Sequence, residues 1–71
     1  MFLKATAYLE TESGENRYKV LINTDLIATV EPTGTDNRTW VIFSDGHGVV
    51  IDTTFDQFEI WLADAISRGR L

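Results

Sequence analysis

NTDLIATVEPTGTDNRTWVIFSDGHGVVIDTTFDQF, residues 23 to 58, reads as a turn, two strands, a tight turn, a third strand and the start of a capped helix. Asn23, Thr24 and Asp25 carry side chains that bond to nearby backbone and so predict a turn. Leu26 to Glu31 then offers apolar atoms on both faces, and Pro32 opens a loop through Asn37 with Gly34 inside it. Arg38 to Ser44 (RTWVIFS) is the strongest strand in the chain. With Trp40 and Ile42 on one face and Val41 and Phe43 on the other, it predicts a central strand covered on both sides, with Trp40 in the core. Asp45 and Gly46 between apolar strands predict a tight hairpin turn that uses positive backbone dihedrals, and Val49 to Asp52 completes that hairpin. Thr53 or Thr54 can cap a helix, and Thr54 with Gln57 has the spacing of a capping box, so a helix is expected from about Thr54 to Arg68, with Gly69 releasing it.

Outward from this stretch, both ends supply its complement. Residues 2 to 9 (FLKATAYL) alternate, with Leu3, Ala5, Ala7 and Leu9 expected to face a core and Phe2, Lys4, Thr6 and Tyr8 to face away. Glu10 to Asn16 (ETESGEN) has the composition of a hairpin loop, and Arg17 to Asn23 alternates again, setting Tyr18, Val20 and Ile22 opposite Lys19, Leu21 and Asn23. At the other end, a helical projection puts Phe55, Phe58, Leu62, Ala65 and Ile66 on one stripe with Trp61 at its margin. Ile60 falls on the opposite face among Asp56, Ala63, Asp64 and Ser67. Asp52 and Asp56 near the start of the helix, and Arg68 and Arg70 near its end, suit the helix dipole. The expected architecture is α+β in a single domain spanning residues 1 to 71: a curved or partly closed antiparallel sheet of about five strands with one C-terminal helix across a face or an open end.

A chain of 71 residues hides only about 60 to 65 % of the surface its unfolded form exposes, so its core is thin. Folds this small commonly gain support from disulfides, metals or a partner subunit. There is no cysteine to form a bridge or a thiolate cluster, which leaves self-association as the expected support, in a homodimer. A cysteine-free chain fits a reducing interior, and Met1 to Leu9 has neither the apolar run nor the cleavage site of an export signal. No stretch approaches the length of apolar sequence that spans a bilayer. A cytoplasmic protein with no membrane partner is therefore expected.

The run from Ile22 to Phe58 carries Asn23, Asp25, Leu26 and Ile27, then Val30 and Glu31, the strand Thr39 to Ile42, the Asp45 and Gly46 turn, Val49 and Val50, and an amphipathic start at Phe55. In these features it resembles the FlbD-like small flagellar and swarming motility proteins, over about half of the chain. The chain departs from that pattern by an extra strand and polar loop before Tyr18, a longer loop between Glu31 and Arg38, and two tryptophans. The resemblance implies a small, non-enzymatic accessory protein.

No group of residues has the spacing of a reaction centre. His47 is the only histidine and lies in a glycine-flanked turn, whereas a metal or acid-base site needs several such groups converging. Ser13, Ser44 and Ser67 lack the turn context of a nucleophile. Asp52, Asp56 and Glu59 fall on a solvated helix face, where paired carboxylates keep similar proton affinities. Gly34, Gly46 and Gly48 lack the spacing and the following lysine of a phosphate loop. No catalytic residue, cofactor or metal is therefore expected.

The expected function is a protein-interaction module that self-associates, with Ile60, Asp56, Asp64 and Trp40 as its candidate surface and a protein partner. The alternative is a single-stranded nucleic-acid binder that uses Tyr8, Tyr18 and Trp40 with Lys4, Arg17, Lys19 and Arg38. The formal charge of -5 weighs against it. So does the acid-only stretch holding Asp45, Asp52, Asp56, Glu59 and Asp64, which repels phosphate backbones.

Overall fold

The computed structural model describes residues 1–34 and 37–68; Gly69 and Arg70 lie outside them. Five strands, β1 (Phe2–Thr11), β2 (Gly14–Asn23), β3 (Ile27–Pro32), β4 (Thr39–Phe43) and β5 (Gly48–Ile51), precede one helix, α1 (Phe55–Arg68). Every paired strand is antiparallel, in the order β2-β1-β5-β4-β3. The fold is α+β. The sheet is not closed into a barrel, and β2 and β3 are its edges. A single 3₁₀ turn, Thr24–Leu26, links β2 to β3, and the Asn23 side chain accepts a hydrogen bond from the Asp25 N–H at 3.1 Å, as the turn chemistry of these residues requires.

Alternation along the strands separates a core face from an outer face. Ala5, Ala7, Ile22, Val41 and Ile51 are buried on the core face together with Phe58 of α1. Leu3, Val20, Ile27, Val30, Phe43, Val49 and Leu62 pack around them. Thr39 is also fully buried on this face, and its hydroxyl donates to the Thr53 carbonyl at 2.9 Å, which satisfies the one polar group placed there. α1 packs against β1 and the 3₁₀ turn. Thr54 caps it: the Thr54 hydroxyl accepts from the Gln57 N–H at 3.1 Å, and the Thr54 carbonyl accepts from the Phe58 N–H. Along the predicted stripe, Phe58 and Ala65 are buried and Phe55 and Leu62 half-buried, but Trp61 and Ile66 remain exposed at its margins.

Both hairpin turns are tighter than, or different from, the expected ones. β1 and β2 stay in unbroken register from Phe2↔Asn23 to Thr11↔Gly14, so only Glu12 and Ser13 form the turn, where a loop from Glu10 to Asn16 was expected. In the β4–β5 hairpin, the Phe43 carbonyl accepts from Gly46 N–H and the Phe43 N–H donates to the His47 carbonyl. Only Gly46 has a positive φ, +92°. That is a three-residue loop with one left-handed residue, not a turn with two.

Three side chains stand where alternation alone did not put them. Leu9, expected in the core, is half exposed, because β1 pairs with β5 only around Ala7 and Tyr8 and nothing lies over the hairpin beyond. Tyr8, expected to face solvent, is buried on the outer face beneath arginine side chains. Trp40 is not core. It is 46 % exposed, since β4 is covered on the core face, where Val41 is fully buried, and its outer face lies open.

Candidate functional site

The outer face carries a connected set of polar and aromatic side chains. Register places Tyr8, Val50, Trp40 and Glu31 in one row across β1, β5, β4 and β3. Beside Tyr8 on β2 stands Arg17. Arg38, just before β4, lays its guanidinium over the Tyr8 ring at 3.6 Å from the centroid, and Arg17 lies 5.5 Å from the same ring. Both are within the range at which an aromatic face attracts a cation. The Tyr8 hydroxyl donates to Glu15 at 2.9 Å, and Arg17 Nε donates to Asp52 at 2.7 Å. Glu15 also lies 3.5 Å from Arg38 and 3.6 Å from Arg17.

Burial, first, and the hydrogen bond to Glu15, second, push the Tyr8 phenol above its ordinary pKa, while the Arg38 charge pulls the other way. Asp52 holds Arg17 above the usual guanidinium value by its hydrogen bond and then by its charge. The consequence is mechanical. Tyr8, Glu15 and Arg17 belong to the first hairpin, Arg38 and Asp52 to the β4–β5 side, so the cluster clamps the seam where β1 meets β5. It also gives Asp52 a specific partner, Arg17.

Charge on this face balances. Lys4, Arg17, Lys19 and Arg38 share it with Glu10, Glu15, Glu31 and Asp52, by register and by the contacts above. The basic groups of a nucleic-acid platform are thus on one face with Tyr8 and Trp40, whereas Tyr18 pairs with Ala7 on the core face; Arg17 and Arg38 are engaged by Glu15 and Asp52, and Tyr8 is already covered by Arg38. Of the two rings in that row, Trp40 is the one left open. Its indole lies over Gly48, so close that a Cβ there would collide with Nε1; glycine at this position makes room for the ring.

The candidates singled out from sequence separate. Ile60, 62 % exposed, stands with Asp56 and Asp64 on the outward side of α1, where the Asp64 carboxylate pairs with Arg68 one turn on. Asp64 lines a groove with Phe2, Lys4, Trp61 and Arg68. Trp40 belongs to the outer face of β4. These four residues therefore form two surface features, not one. A third, unforeseen in the sequence, gathers Phe2, Leu21 and Leu26, each at least half exposed, along a groove at the end of the sheet. Phe2 and Leu21 are legible as outward positions from the alternation; Leu26 joins them only through the 3₁₀ turn.

His47 is held by its turn. Asp45 accepts from the His47 backbone N–H and bonds to ring Nδ1, both at 2.9 Å. The side-chain bond, then the backbone bond, lower the Asp45 pKa, and the same partner raises that of His47. Both groups are exposed, which is the geometry of a locally closed Asx turn. Among the described residues, no three His, Asp or Glu side chains are grouped to hold a metal ion. No buried side-chain nitrogen or oxygen among them lacks a hydrogen-bond partner, and no helix is long and apolar enough to cross a membrane. Comparison of the chain with protein families, with curated proteins and with solved structures finds no match in any of the three.

Proposed function

We propose that this chain is a non-enzymatic protein-interaction module that self-associates as a homodimer and works in the cytoplasm. The observation that carries the reading is the amount of apolar surface held in fixed positions outside the core: Trp40 seated on Gly48, Ile60 on α1, and the Phe2, Leu21 and Leu26 group. Large rigid side chains left exposed on a small domain are the usual anchors of protein contacts. The small-accessory-protein character implied by the FlbD-like resemblance agrees with this reading. Sedimentation of the full chain across micromolar concentrations tests it: a species of twice 8.0 kDa is expected, and a monomer throughout removes the self-association.

A second reading, single-stranded nucleic-acid binding, is favoured by the placement of Trp40 with Lys4, Arg17, Lys19 and Arg38 on one face. The carboxylates that engage Arg17 and Arg38 and the net charge of -5 count against it, because affinity for nucleic acid comes chiefly from neutralising phosphates. Anisotropy titration of labelled single-stranded DNA and RNA at physiological salt separates the two. A tight complex weakened by Lys19→Ala or Arg38→Ala would replace the protein-interaction reading.

A further inference from the structure

The two edges of the sheet are not equivalent. β3 is six residues long, its register with β4 shifts between Ile27 and Thr29, and it ends on Pro32. Irregular register, short length and proline are the means by which natural sheets prevent edge pairing. β2 has none of these. It is a ten-residue edge without proline or register shift, most of it solvent-exposed, with its outer backbone groups unpaired in the sheet order. Lys19 is the one charged guard left on it between Tyr18 and Asn23, since Arg17 is engaged by Asp52.

We infer that β2 is the dimer interface: it pairs antiparallel with β2 of a second copy about a two-fold axis at Val20, making one continuous ten-stranded sheet. The inference rests on the self-association proposed above and specifies where it occurs. The two-fold axis must pass through a residue, because core-face side chains of both copies then stay on the same side of the extended sheet. Charge selects which residue. An axis at Arg17 or Lys19 sets that cation against itself, and an axis at Tyr18 sets Arg17 against the partner's Lys19; like charges directly opposite destabilise a pair. An axis at Val20 avoids all three. It pairs Arg17 with Asn23, Tyr18 with Ile22, Lys19 with Leu21 and Val20 with itself, and it keeps more of β2 in register than axes at Asn16 or Leu21. It also covers Leu21 and Tyr18, which are 68 % and 45 % exposed in the single chain.

The register makes a signed prediction at Leu21, whose exposure allows substitution without touching the core. Leu21→Lys opposes Lys19 across both symmetric pairs and is expected to raise the dimer dissociation constant at least about threefold. Leu21→Glu is expected to leave it unchanged or lower it. Adding Lys19→Glu to Leu21→Lys restores opposite charges and recovers the wild-type constant. Sedimentation equilibrium reads all three, with a melt of each variant at low concentration confirming the fold. The reverse order, Leu21→Lys tightening and Leu21→Glu weakening, is what an axis at Tyr18 gives, because Leu21 would then face Glu15, and it overturns the inference. A dimer insensitive to all of these but lost on Trp40→Glu or Ile60→Glu also overturns it while leaving self-association standing. A monomeric wild type overturns both.

Discussion

Replacing Phe58 by alanine removes the side chain that pins α1 to the sheet. Phe58 is fully buried among Ala5, Ala7, Ile22, Val41 and Ile51, and the two alanines are what allow a ring to sit against β1. Truncating a buried phenylalanine costs about 3 to 5 kcal/mol, the transfer of the ring plus the cavity it leaves. A domain of 71 residues has a total stability of about 4 to 11 kcal/mol, so Phe58→Ala leaves it marginal. With an unfolding entropy of roughly 0.15 kcal/mol/K for a chain of this size, the midpoint falls by about 20 to 30 °C. Phe58→Leu, which keeps most of the volume, should cost only about 1 kcal/mol. Thermal melts followed by far-UV circular dichroism at a fixed low concentration measure both. Ile66→Ala, at the exposed margin of the same helix, is the surface control. If Phe58→Ala melts within a few degrees of wild type, or no lower than Ile66→Ala, the ring does not hold the helix and the core assignment is wrong.

Gly48→Ala should displace the Trp40 indole, read as a shift of its fluorescence and a loss of about 1 to 3 kcal/mol from the overpacked contact; unchanged emission would show that the ring is not seated there. Thr54→Ala removes the α1 cap and should cost about 1 kcal/mol, with Thr54→Ser recovering most of it in denaturant melts. His47 should titrate above its ordinary value because Asp45 favours the imidazolium. Its raised midpoint gives stability that is present below the ordinary histidine value and lost as pH rises through the folded His47 midpoint. The lowered Asp45 midpoint gives stability that is present above the ordinary aspartate value and lost as pH falls through it. Their mutual support is therefore greatest in the mildly acidic window between. NMR titration of the ring checks this: Asp45→Asn should bring the His47 midpoint down, and an unmoved midpoint would remove the pair.

Local chemistry carried most of the architecture. Period-two alternation in Tyr18 to Ile22, the Asn23 turn and the Thr54 cap each act within a few residues, and the structure follows all three. The errors arose where the answer depends on strands distant in sequence. Leu9 is exposed because β1 meets β5 for only a short span, and Tyr8 is buried because Arg38 and Arg17 lie over its ring; no periodicity in residues 2 to 9 reports either. Trp40 is exposed because a single helix covers a single face, and an apolar strand gives no indication of which face stays open. The Arg38 stack on Tyr8 and the Arg17 pair with Asp52 join residues whose proximity follows only from the strand order. The candidate surface fared likewise: Ile60 is exposed as the helical projection requires, but its separation from Trp40 is a property of the packing.

The strand order also sets how the chain can assemble. β1 with β2, and β3 through β5, are neighbours in sequence and close by short turns, whereas Ala7 with Ile51 and Tyr8 with Val50 are the most distant paired residues in the described sheet. Loop-closure entropy makes such a contact late and slow. The strand order therefore divides the pairings into two sequence-local pieces, a hairpin and a meander, linked by Thr24–Leu26 and joined along a short strip of backbone. On that strip the arginines bridge the join from the solvent side while Phe58 fills it from within. The expectation from this topology is that the joining limits the folding rate, and a chain cleaved between β2 and β3 offers the test, since reassociation of the two fragments would then report the joining step alone.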